Sequence, residues 1–221
     1  MKKIQLFKCF CFITFSASLI TATAFRHWES NEKQLINYHD SGQYYQDISA
    51  VIKEATYYLQ FRLTQNDRSH NKHKLAIVMD IDETALSNYL ALQQTNFNIT
   101  PEIMRKIQAE DNDPAIPYTL ALYNYAKDHG VDIFFITGRN QRIAEHTINN
   151  LSTAGYHQWK GIAFNTSDQT KNTRWYRIHE RRQIQRAGYD IIMNIGNRKA
   201  TLEGGYSDMI FKLPNPYYQL S

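Results

Sequence analysis

Residues 76–86 read AIVMDIDETAL. Positions 76–79 are continuously apolar, as in a strand buried on both faces, and the run stops at Asp80, Asp82 and Glu83. Carboxylates that close repel one another and raise each other's pKa. A chain that holds them at the tip of a core strand gains something in return: a bound cation, a proton transfer or a nucleophile.

Outward from this stretch, strands and helices alternate. Residues 75–80 read as a strand, and TPEIMRKIQ opens a helix at Thr100. A second helix follows Pro117, with Leu120, Leu122, Tyr125 and Ala126 as its apolar positions. VDIFFIT (131–137) is a strand, 141–154 a helix, GIAF (161–164) a short strand and 170–187 a helix. YDIIMNIG (189–196) and DMIFKL (208–213) complete the set. Ahead of them, Tyr44, Ile48, Val51, Ile52, Ala55, Tyr58, Leu59 and Leu63 recur at three- and four-residue steps, which predicts a helical segment over 32–65. Strands separated by helices of this length predict an α/β fold, a doubly wound parallel sheet with an N-terminal helical part at about 30–66. The long stretch 88–113 predicts a small cap. In such sheets ligands bind beyond the carboxyl ends of the strands. Asp80 and Asp82, Thr137 and Asn197 all fall there.

Residues 1–24 carry Lys2 and Lys3, an apolar run over about 10–20, and small residues at Ala22 and Ala24. That pattern predicts an export signal followed by a domain at 25–221, with the mature protein periplasmic or secreted. A retained anchor is the alternative. Removing the segment takes three lysines and no acid, so 25 Lys+Arg against 21 Asp+Glu becomes nearly balanced. Nothing then argues for nucleic acid or for stable insertion in a membrane, and no feature fixes an oligomeric state. Both cysteines, Cys9 and Cys11, leave with it, so disulfides and thiolate metal sites are excluded from the mature chain. The eight histidines show no ligand-like spacing. Asn98, Asn150 and Asn165 begin glycosylation triplets.

An aspartate at a strand tip suits in-line attack on phosphorus, and a second carboxylate two residues on can protonate the leaving oxygen and then activate water. Thr137, in FITGR, offers a hydroxyl and neighbouring backbone N–H groups, Gly138 included, for phosphate oxygens. A cation from 171–182 would balance the charge of a dianion. The basic residues of that segment, Lys171, Arg174, Arg177, Arg181, Arg182 and Arg186, otherwise read mostly as a solvated face.

DIDET after one strand, ITGR after a second and a late basic helix resemble the haloacid dehalogenase superfamily of phosphohydrolases. The closer likeness is to its secreted acid phosphatase branch, which includes bacterial class C acid phosphatases and plant vegetative storage proteins. It is carried by DETALSN (82–88), YNYAKDHGVDIFFITGR (123–139), NNLSTAGYHQW (149–159) and GGYSDMIFKLPNPYY (204–218). The resemblance implies a small phosphate monoester as substrate, with Asp80 as nucleophile and Asp82 as general acid and base. Thr137 and Gly138 would hold the phosphoryl group with Arg177, which stands in WYRIHERR where the family has lysine. It also implies Mg²⁺ on Asp80, the Asp82 carbonyl and Asn197. The family's fourth motif carries two acids, and here IGNRKATLEGG puts Asn197 and Thr201 at those places. Metal binding is therefore expected to be weakened unless Glu83 or Glu203 reaches the site. The alternative is a catalytically impaired relative with a storage or interaction role, binding a phosphorylated ligand through Arg177, Arg198 and Lys199.

Overall fold

The computed structural model describes residues 31–110, 112–166 and 173–217. The predicted export segment lies outside the described residues. The chain divides into two units, 1–42 and 43–221. In the first, residues 31–40 are helical and close at Gly42, whose φ of 82° suits a glycine helix end and whose N–H donates to His39 O at 2.9 Å. The helical segment expected over 32–65 is thus broken by this glycine.

In the second unit α1 (Gln43–Arg68) buries Tyr44, Ile48, Ile52, Ala55 and Leu59 on one stripe. It leads into β1 (Lys74–Met79), buried from Leu75 onward. The long connection that follows holds two short helices, α2 (Tyr89–Gln94) and α3 (Pro101–Ala109). Thr100 caps α3 by accepting from Ile103 N at 3.2 Å. Next come α4 (Pro117–Asp128) and β2 (Asp132–Asn140). Tyr123, not Tyr125, takes the buried place on α4, its hydroxyl donating to His157 O at 2.8 Å. A 3₁₀ turn, Gln141–Ile143, leads to α5 (Ala144–Thr153) and β3 (Gly161–Asn165). The chain ends with α6 (Thr173–Arg186), β4 (Tyr189–Gly196), the single turn α7 (Lys199–Leu202) and β5 (Met209–Lys212). Among the described residues no helix is long and apolar enough to cross a membrane.

The five strands form one sheet in the order β3-β2-β1-β4-β5, every pair parallel. A parallel sheet needs both faces covered. On one face Ala76, Val78, Ile136 and Ile191 pack with Tyr176 and Ile184 of α6. On the other, Phe135 stacks on Tyr123 of α4 at 6.0 Å between centroids, and Phe211 meets Tyr58 of α1 at 6.1 Å. Removing a ring as buried as Phe135 costs about 3–5 kcal/mol. The chain runs from β1 to β2 to β3 on one side, then crosses to β4 on the other. The strand order therefore puts the switch point, where such sheets hold their ligand crevice, at the carboxyl end of β1, between Asp80 and the residue after β4, Asn197.

Candidate active site

Asp80 leaves β1 with its N–H on Ile195 O at 2.9 Å, which ties it to β4. Its carboxylate accepts from Ile81 N at 2.8 Å. Arg177 Nη2 stands 3.0 Å from Asp80 Oδ1 and 2.9 Å from Oδ2. Nη1 of the same guanidinium donates to Ile136 O at 2.5 Å, while its Nε is buried without a partner. Both side chains are buried. Burial pushes the Asp80 carboxyl up, Arg177 pulls it down, and Asp82 adds a further push upward; the net direction is up. Gly138 is exposed, and a Cβ there would lie 3.7 Å from Arg177 Nη2. Thr137 is buried, and its Oγ1 accepts from Arg139 N at 3.1 Å, leaving the hydroxyl hydrogen to be donated. The helix cap after β2 is Asn140, not Thr137.

Asp82 is held on both oxygens. Oδ1 accepts from Arg139 Nε at 3.1 Å, Arg139 Nη2 at 2.9 Å and Asn88 Nδ2 at 3.1 Å. Oδ2 accepts from Gln108 Nε2, on α3, at 3.0 Å. Arg139 is fully buried and also binds Asp113 Oδ2 at 3.1 Å. Asn150 brackets Asp113 in turn, accepting from its N–H at 3.3 Å and donating to its carbonyl at 2.7 Å. Burial pushes Asp113 up to about 7 against the pull of Arg139. Arg139, Asp113, Gln108 and Asn88 were not singled out by sequence reasoning. A signal existed for Arg139. It stands two residues past Thr137, β2 continues through TGRN, and alternate strand residues share a face.

Glu83 does not reach Asp80. It adopts a φ of 49° in the turn after β1, and its carboxylate accepts from Tyr44 OH at 3.0 Å and Asn88 N at 2.7 Å. Burial pushes it up to about 7. Glu203 is also engaged elsewhere, with Oε1 3.6 Å from Lys199 Nζ on an ammonium that is 77% exposed. Lys199 is therefore a surface cation and no part of a buried phosphate site.

Arg177 and Arg181 are not on the solvated face that the basic run suggested. Arg181 is 1% exposed and donates to the carbonyls of Gly205 at 2.9 Å, Thr201 at 3.1 Å and Glu203 at 2.7 Å. It pins the loop after β4, and burial with Arg177 nearby lowers it to about 10. Thr201 Oγ1 donates to Arg198 O at 2.8 Å, closing the first turn of that loop. Asn197 is 2% exposed, and its Nδ2 is buried without a partner.

These residues do not fit a hard divalent cation. Mg²⁺ wants near-octahedral, mainly anionic oxygen. Asp80 has both oxygens on Arg177, Asp82 both on amides and Arg139, and Glu83 both on neighbours. Among the described residues no three His, Cys, Asp or Glu side chains group as ligands.

A family model described as HAD superfamily, subfamily IIIB (acid phosphatase), matches residues 13–221. Vegetative storage protein 1 of Arabidopsis thaliana is 29% identical over 182 residues, 80% of this chain and 66% of its own length. The stem 28 kDa glycoprotein of Glycine max is 31% identical over 81% of this chain and 71% of its own. Acid phosphatase 1 of Solanum lycopersicum is 32% identical over 65% of this chain and 58% of its own. The chain thus spans 58–71% of these relatives' lengths. In fold it is similar to the class C acid phosphatase of Bacillus anthracis solved with tungstate bound, with a TM-score of 0.68, 20% identity, and 85% and 86% of the two chains covered.

Proposed function

The chain belongs to the acid phosphatases of HAD superfamily subfamily IIIB, and from that premise we propose that it is an exported phosphomonoesterase working through an aspartyl-phosphate. One observation carries the reading: Asp80 and Asp82 leave the central strand at the switch point, with a buried guanidinium on the first carboxylate.

Asp80 attacks phosphorus in line, and the bond from phosphorus to the ester oxygen breaks. Asp82, protonated, gives its proton to the leaving alkoxide. Water then attacks the phosphorus of the acyl phosphate while Asp82 takes its proton, and inorganic phosphate leaves Asp80 free. Arg177 turns from Asp80 to the entering dianion, with the Thr137 hydroxyl and the Gly138 N–H as further donors. The stretch carrying α2 and α3 acts as a cap, since Gln108 reaches Asp82 from it. Mg²⁺ serves the superfamily generally, but with Asn197 and Thr201 in place of two acids the residues here do not suit it. Export rests on the composition of residues 1–24 alone.

A second reading is favoured by one contact. Arg177 holds both oxygens of Asp80, and a chain in which that pair never opens would keep a phosphorylated ligand without turning it over. Similarity to a vegetative storage protein is in keeping with it. Hydrolysis of an aryl phosphate at mildly acidic pH separates the two. The phosphatase reading predicts turnover that Asp80→Asn abolishes, whereas turnover unchanged in that variant would end it.

A further inference from the structure

We propose that this site binds a phosphate dianion without a divalent cation, through the guanidinium of Arg177 and the side-chain amide of Asn197. The inference rests on the reading of the crevice as a phosphate-ester site and specifies how the ligand's charge is met there.

A cation site offers oxygen lone pairs with nothing on them. Here each oxygen of Asp80, Asp82 and Glu83 already accepts at least one hydrogen bond, and positions 197 and 201 add no anionic oxygen to complete a cation's shell. What is left over is mainly donors, beside one acceptor, Asn88 Oδ1. Arg177 Nε and Asn197 Nδ2 are buried donors with no acceptor, and the Thr137 hydroxyl has a hydrogen to give. A buried N–H without an acceptor costs free energy, which an acceptor-rich ligand would recover. A ligand that satisfies several such donors is rich in acceptors and anionic.

The positions agree with this. Asp80 and Gly196 are in contact range, since a Cβ on Gly196 would lie 3.5 Å from Asp80 Cβ. Asn197, the next residue, is therefore at the same end of the sheet as the carboxylate that Arg177 holds from α6. An aspartate at position 197 would have set a second negative charge against an incoming dianion, tolerable only with a metal between them. An amide removes that charge.

The test is isothermal titration of the purified chain with inorganic phosphate at mildly acidic pH, in Mg²⁺ and again in excess chelator. The same Kd is expected in both. Asn197→Asp should weaken binding about tenfold or more in chelator, with Mg²⁺ restoring it. Asn197→Leu should weaken binding in both solutions with no response to Mg²⁺. Circular dichroism establishes that each variant is folded. Wild-type binding that needs Mg²⁺, or Asn197→Asp matching the wild type in chelator, overturns the inference. Turnover of an aryl phosphate strictly dependent on Mg²⁺ would also overturn it while leaving the phosphatase reading intact. Chelator-resistant binding with no turnover in either solution would support it and defeat the hydrolase instead.

Discussion

Arg139 joins Asp82 to Asp113 from a position with no solvent exposure, its Nη2 lying 2.9 Å from one carboxylate and 3.1 Å from the other. The proposed proton donor is thereby fixed to the loop ahead of α4, and Asn150 fixes that loop to α5. Removing the guanidinium leaves two carboxylates buried or half-buried without their cation. Arg139→Leu should cost about 3–5 kcal/mol at neutral pH, read by urea unfolding. A loss below about 1 kcal/mol would mean that the pair is not held as described.

Glu83 makes stability depend on pH with a definite sign. Its carboxyl is pushed up to about 7 in the folded chain from an ordinary 4.5. Between those values folded Glu83 keeps a proton that the unfolded chain has lost. Its contribution is therefore complete below the unfolded value and is lost as pH rises through about 7. The span corresponds to about 3 kcal/mol. Asp113, also pushed up to about 7, adds a slope of the same sign. Unfolding free energy should fall from mild acid to neutral, and Glu83→Gln should flatten part of that fall. A stability that rises over the same range in wild type would contradict the assignment.

The loop after β4 depends on a glycine. Gly204 has a φ of 102°, and a Cβ there would lie 2.3 Å from Ile178 Cδ1 on α6. Gly205 has a φ of 79° with open space around it. Gly205→Ala should cost about 1–2 kcal/mol for backbone strain alone. Gly204→Ala should cost about 1–3 kcal/mol more, from the overlap with Ile178. Equal melting temperatures for the two variants would show that the loop packs differently against α6.

The Gln108 side chain contributes a single hydrogen bond, to the Asp82 oxygen that Arg139 does not hold. Gln108→Ala should lower kcat about tenfold with little change in melting temperature, because the carboxyl loses its orientation but not its charge partner. Steady-state kinetics with an aryl phosphate reads the effect, and an unchanged kcat would remove α3 from the mechanism.

The five strands were legible because each parallel strand is an apolar run with a polar end, and AIVMD is the clearest of them. Through the family resemblance Arg177 was legible as a phosphate-binding cation, but its pairing with Asp80 was not. A basic run on a helix looks the same whether its arginines face water or a carboxylate 97 positions away in the chain. Arg181 was hidden for the same reason, since its partners are backbone carbonyls that any sequence possesses. Asn150 shows the converse case. Its triplet suggested a glycan, but the side chain is 1% exposed and spends both ends of its amide on Asp113. Local patterns carried the elements, whereas long-range polar pairings carried the site.

The proposed function stands or falls on a covalent bond from Asp80 to phosphorus. Its most direct test is acid quenching of the chain during turnover of an aryl phosphate, followed by mass spectrometry of the peptide that contains AIVMDIDETAL. The peptide should carry the added mass of one phosphoryl group on Asp80, and that mass should be absent in Asp80→Asn. Turnover in wild type with no such adduct, and undiminished turnover in Asp80→Asn, would contradict it.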